Sequence, residues 1–170
     1  MRPFSFVAKC QSKNIREQYD AGVRLFDLRV RFDKNGEPIL AHGLMEYCSD
    51  NLLNDIRFLN SQKDAVVRVI LETSCPNNKQ EAWFSNFCYN MQENYLAITF
   101  IGGNRKFDWK SIYKFGTYEP VVVGEFSSVP TDKWYGKVND LWPWLWAKRH
   151  NEKVLDEYIT FKGYLMMDFV

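Results

Sequence analysis

The sequence predicts an α/β domain with a mainly parallel sheet. Three observations carry that expectation. Residues 65–71 (AVVRVIL) have the β-branched density of a strand covered on both faces. Residues 79–95 place apolar side chains at helical spacing between two such strand-like runs. Asp33-Lys34-Asn35-Gly36 is a turn short enough to join two strands directly. The six strands expected below fit an open sheet or a distorted, incomplete (β/α) TIM-type barrel.

Taken in order, residues 1–13 show no clear period. Asn14 is placed to cap a short helix carrying Ile15 and Tyr19, with Gly22 just past its end. Residues 23–30 form a strand whose apolar majority is interrupted by Arg24, Asp27 and Arg29. After the turn, residues 38–41 form a second strand that ends at His42-Gly43. Ser49-Asp50 supplies capping side chains for a helix bearing Leu52, Leu53, Ile56 and Leu59. The strand at 65–71 follows and ends in Glu72-Thr73, then a loop over Cys75-Pro76-Asn77-Asn78. The helix at 79–95 turns Phe84, Phe87, Cys88 and Met91 inward. Residues 96–101, 120–126 (PVVVGEF) and 164–170 (YLMMDFV) complete the strands. Residues 143–158 read as helical, with Pro143 at the first position.

Composition narrows the class. A chain of 170 residues buries a substantial core, and residues 1–170 are expected to form a single domain and a monomer. Apolar residues at 46% and charged residues at 25% are ordinary for a globular protein, while aromatics at 16% are high. A net charge of +1 offers no electrostatic attraction to nucleic acid. No apolar run approaches the roughly 20 residues that span a bilayer. The first residues do not read as a signal peptide. Cys10, Cys48, Cys75 and Cys88 form no CxxC and have no histidine at metal spacing, so free buried thiols are the leading expectation, with disulfides or zinc the minor one, and no cofactor is expected.

Sites in parallel α/β sheets lie at the carboxyl ends of strands. Asp27, Arg29, His42, Glu72, Glu125 and Asp168 all fall there. Each also has a plain structural reading. Arg29 can ion-pair with Asp27 or Glu72, or grip a phosphate with its fork of donors. His42 can be a turn histidine or a general acid or base. Asp168 can cap the sheet end or orient an imidazole. Gly102-Gly103 with Arg105 and Lys106 forms a weak anion-cradle pattern. Trp134, Trp142, Trp144 and Trp146 form core or a lid, or else a rim at a membrane surface.

Residues 7–11 (VAKCQ), 15–30 (IREQYDAGVRLFDLRV) and 39–43 (ILAHG) together resemble the X domain of phosphatidylinositol-specific phospholipase C, the bacterial, metal-independent branch more than the calcium-dependent one. The resemblance extends to 66–72 and 163–169 and is thin between 97 and 160. It implies a distorted (β/α)8 barrel and a phosphoric diester cleaved by intramolecular attack. Arg29 would contact the phosphate, with Asp27 beside it. His42 would protonate the leaving oxygen, and Asp168 would orient the other histidine. Glu72 and Glu125 would fall on substrate-binding positions. A cation at Arg29 cannot ligate calcium, so the resemblance implies no metal. The partner would be a phosphoinositide or another phosphodiester, with transient membrane-surface contact. Family members are often secreted.

The sequence also departs from that family. The G-T-H-D/N-S motif, whose histidine is the general base, is missing, which leads to the expectation of an N-terminally truncated domain with impaired activity. His150, within WAKRHNEKV, is expected to face solvent. Glu72 stands near a lysine position of bacterial members, and Glu125 near a basic one. A non-catalytic relative that binds phosphate or lipid headgroups is the alternative. Glycerophosphodiester phosphodiesterase is a more distant one, because it needs an E-x-D pair where this chain has Asp27 and Arg29.

Overall fold

The computed structural model describes residues 12–42, 45–46, 52–73, 75–102, 113–117, 119–121, 123–125, 147–148, 151–152, 155–156, 160 and 162–167. Backbone contacts group the chain into two compact units. One is Arg24–Val121. The other combines the two ends, Met1–Val23 and Val122–Val170.

The Arg24–Val121 unit is built on an open, mixed six-stranded sheet. Its strands are β1 (Leu25–Phe32), β2 (Pro38–His42), β3 (Met45–Glu46), β4 (Val66–Leu71), β5 (Thr99–Gly102) and β6 (Tyr113–Lys114), in the order β3-β2-β1-β4-β5-β6. The three central strands, β1, β4 and β5, are parallel. The outer pairs are antiparallel, so the sheet is less parallel than the sequence suggests. Among the described residues no pairing closes it into a barrel. The parallel pairs are joined by helices, α2 (Leu52–Gln62) leading into β4 and α3 (Asn78–Asn94) running from β4 to β5.

One face of the sheet takes the helices. Phe26, Val30 and Phe32 alternate along β1 and are all buried. The Phe32 ring meets Trp83 and Phe87 of α3 at centroid distances of 6.1 and 6.2 Å. From α2, Leu52, Ile56 and Leu59 are buried, as their spacing predicts, whereas Leu53 is half exposed. From α3, Phe84, Phe87 and Met91 are buried. Every residue of β4 is buried, so this strand is covered on both faces, as its composition anticipates.

The ends of the elements follow local chemistry. A capping box starts α3, in which the Asn77 side chain accepts from the Gln80 N–H and the Gln80 side chain accepts from the Asn77 N–H. The Ser49-Asp50 start expected for α2 lies outside the described residues. The strand expected to begin at residue 96 starts instead at Thr99. The Ile98 N–H donates to the Tyr95 carbonyl in a turn, and Leu96 is 85% exposed. Each of the two extra strands, β3 and β6, has only two residues.

The β1–β2 turn is organised by Asp33. Its Oδ1 accepts from the Asn35 N–H at 2.7 Å and from the Glu37 N–H at 2.9 Å. The Glu37 N–H, first among several donors, holds this carboxyl below the usual carboxylate range. Gly36 has a φ of +90°, and a Cβ there would lie 2.6 Å from Cε2 of Trp83. Gly36→Ala therefore combines backbone strain with a clash against a packed ring. We expect it to lower stability by about 1–3 kcal/mol, read from the midpoint of chemical denaturation.

In the unit made from the chain ends, α1 (Ile15–Asp20) has the expected capping box. The Asn14 side chain accepts from the Glu17 N–H at 2.9 Å, and the Asn14 N–H donates back to Glu17 at 2.8 Å. Gly22 follows the C-cap Ala21 with a φ of +101°. The buried residue of α1 is Gln18, whose Nε2 donates to the Lys13 carbonyl, while Ile15 and Tyr19 are half-buried. β7 (Val123–Glu125) and β8 (Tyr164–Met166) pair in parallel. Residues 147–148, 151–152 and 155–156 are helical; Pro143 and His150 lie outside the described residues. Among the described residues no helix is long and apolar enough to cross a membrane. Of the cysteines, Cys75 is exposed rather than buried, and Cys88 is half-buried, its thiol pushed up to about 12 by burial; both are free. Cys10 and Cys48 lie outside the described residues.

Candidate active site

Parallel pairing sets side by side residues that the sequence keeps far apart. In the β1–β4 ladder Asp27 is in register with Arg68, and Arg29 with Ile70. Partners in register point to the same side of a sheet, so Asp27, Arg29, Arg68 and Glu72 share the face opposite Phe26, Val30 and Phe32. The ladder ends just past β4, where the Glu72 N–H donates to the Val30 carbonyl at 2.7 Å. Glu72 thus stands at the carboxyl end of the parallel pair with its backbone held by β1.

The four side chains form a charge relay. Arg68 Nη1 donates to Asp27 Oδ1 at 3.2 Å. Arg29 Nε donates to Asp27 Oδ2 at 2.6 Å. Arg29 Nη1 lies 3.9 Å from Glu72 Oε2. Two guanidinium groups therefore face two carboxyl groups. Its burial is graded. The Arg68 side chain is 0% exposed and that of Glu72 1%, while Asp27 and Arg29 keep 17% and 20%. The two middle members, Asp27 and Arg29, are accordingly the ones that reach solvent. Beside Arg29, Arg31 Nη1 lies 3.8 Å from Glu46 Oε1, and Arg31 Nε donates to the Glu72 carbonyl at 3.4 Å.

Of the residues singled out in the sequence, the structure brings Asp27, Arg29 and Glu72 together. The ion-pair reading of Arg29 holds for both carboxylates at once. His42 closes β2, half-buried and in register with Met45 of β3. The β1–β2 pairs stop at Val30↔Leu40, two residues short of it. Alternation from that pair, with Glu46 opposite Ala41 and reaching Arg31, sets His42 on the Val30 side, away from Arg29. Glu125 closes β7 in register with Met166, in the other unit. Asp168 lies outside the described residues, as do Gly103, Arg105, Lys106 and the tryptophans at 134, 142, 144 and 146. Gly102 has a packing role: a Cβ there would meet the Phe115 ring at 2.7 Å and the Val69 carbonyl at 2.8 Å.

Arg68 was not legible as a site residue. Its signal is a lone charge inside the apolar run AVVRVIL, since a fully buried arginine requires a partner.

No protein-family model and no curated protein sequence matches this chain. Solved structures do. A mutant of phosphatidylinositol-specific phospholipase C from Staphylococcus aureus matches with a TM-score of 0.67 at 15% identity, over 99% of this chain and 81% of that chain. The fold resembles that of a bacterial phospholipase C. A double mutant of the same enzyme gives a TM-score of 0.68 at 16% identity, over 99% of this chain and 81% of that one. Another structure of it, concerned with modulation of its membrane binding, gives 0.66 at 15% over the same shares. At these identities the likeness establishes the fold; the chemistry rests on this chain's own residues.

Proposed function

We propose that this chain is a phosphoric diester hydrolase-like protein of the phosphatidylinositol-specific phospholipase C kind, a single distorted barrel-type domain that grips a phosphodiester with Arg29. The observation that carries the reading is the relay that holds Arg29 between Asp27 and Glu72 at the open end of the parallel strands. The guanidinium, held through Nε, is read as meeting two phosphate oxygens with its planar fork.

In the proposed reaction a substrate hydroxyl adjacent to the phosphate attacks phosphorus, and the bond to the leaving alcohol breaks. Arg29 balances the charge that grows on the phosphoryl oxygens. His42 is assigned to protonate the leaving oxygen, which needs its imidazole to reach the Arg29 side of the sheet from the end of β2. Glu72 accepts a substrate hydroxyl. The sequence contains two histidines, His42 and His150, and His150 sits among Lys148 and Arg149. No group is therefore assigned to deprotonate the attacking hydroxyl, and turnover is proposed to be weak.

That single assigned histidine also favours a second reading, a binder of phosphate or lipid headgroups without catalysis. Glycerophosphodiester phosphodiesterase fits less well, because both Asp27 oxygens engage arginines instead of being open to a metal. A phosphoinositide substrate implies transient contact of a monomer with a bilayer surface.

Phosphatidylinositol vesicles separate the readings, with binding and release of headgroup measured on wild type and His42→Ala. The expected result is binding by both and a loss of roughly 10²–10⁴ in the residual rate of the variant. Binding with no wild-type turnover selects the headgroup binder. Undiminished turnover in His42→Ala removes His42 from the mechanism.

A further inference from the structure

We propose that Arg68 is a positioning residue that acts through Asp27 to set the orientation of Arg29. The proposal deepens the phosphodiester reading above, but its first readout does not depend on any ligand.

Three observations carry it. The Arg68 side chain is 0% exposed, so it cannot itself meet a substrate arriving from solvent. It lies in register with Asp27 on the adjacent parallel strand, which makes the contact between them a consequence of sheet pairing. The two Asp27 oxygens are then divided, Oδ1 toward Arg68 at 3.2 Å and Oδ2 toward Arg29 at 2.6 Å.

The division has a mechanical consequence. A carboxylate on a short side chain can still rotate about its terminal bond, and terminal torsions of this kind are broad. With Oδ1 engaged by a guanidinium locked in a packed strand, that rotation is stopped. Oδ2 is left facing Arg29 Nε. Fixing Nε in turn fixes the plane of the Arg29 guanidinium, whose Nη1 lies 3.9 Å from Glu72 Oε2. A buried arginine in a strand otherwise made of Val66, Val67, Val69 and Ile70 is costly, and a methionine would fill the same space. The positioning role supplies a function for that charge.

The test uses Arg68→Met, Arg68→Gln and Arg68→Lys, with two measurements on each. The first is the NMR signal of the Arg29 Nε–H, which a short hydrogen bond to a carboxylate moves and protects from exchange. The second is affinity for dimethyl phosphate, the smallest phosphodiester monoanion. The Met and Gln variants are expected to lose the shifted Arg29 signal and to bind about tenfold or more weakly. Arg68→Lys keeps a cation on Oδ1 and is expected to restore both toward wild type.

A folded Met or Gln variant that keeps the wild-type Arg29 signal overturns the proposal. So does failure of both neutral variants to fold, which would make Arg68 a fold determinant alone. If wild type binds no dimethyl phosphate while the Arg29 signal still follows Arg68, positioning stands and the phosphodiester reading falls.

Discussion

Asp27→Ala is expected to destabilise the protein by about 3–5 kcal/mol, the range for stripping the partner from a buried charge. The Arg68 side chain is 0% exposed, and its Nη1 pairs with Asp27 Oδ1 at 3.2 Å. Removing that carboxylate takes a Coulomb partner away from a guanidinium buried in an apolar strand. For a chain of this size the loss corresponds to a fall of roughly 6–20 °C in Tm. An internal control is available in Arg24, which donates to Asp64 at 2.8 Å with side-chain exposures of 39% and 55%. Asp64→Ala removes a pair of similar length in solvent and is expected to cost less than about 1 kcal/mol. Thermal melts of the two variants check the contrast. Equal shifts would mean that burial of the Asp27 cluster carries no energetic weight.

Arg29→Lys is the second large effect. It keeps the positive charge near Asp27 and Glu72, so the fold should be little changed. It removes the planar fork and the Nε donor that Asp27 holds at 2.6 Å. Affinity for a phosphodiester is expected to fall about 10- to 100-fold, the value of one or two hydrogen bonds between charged groups. Calorimetric titration with dimethyl phosphate, alongside a melt, checks that the loss belongs to the site and not to the fold. A lysine variant that binds as wild type does would reduce Arg29 to a point charge.

Much of the sheet was legible because the relevant signals are local. The β-branched run of β4, the Asn35-Gly36 turn and the Asn14 cap each act within a few residues. β3 and β6 were not legible, since two residues cannot establish a period of two. Leu96 looked like the start of a strand because it is apolar, but the turn between Tyr95 and Ile98 exposes it. The candidate site divides along the same line. Asp27, Arg29 and Glu72 stood out as charges at the carboxyl ends of strands. Arg68 did not, because its meaning depends on register with a residue 41 positions away, and no local pattern encodes that pairing. The orientation of His42 was equally out of reach, since one extra residue at a strand end moves a side chain to the other face.

Arg29, held between Asp27 and Glu72, is where a phosphodiester is proposed to bind. The most direct measurement is a titration of the protein with dimethyl phosphate while the arginine side-chain signals are followed by NMR. A saturable shift of the Arg29 guanidinium signals is expected, with Arg24 on its exposed pair unmoved. A non-saturating drift shared by Arg29 and Arg24 would contradict it.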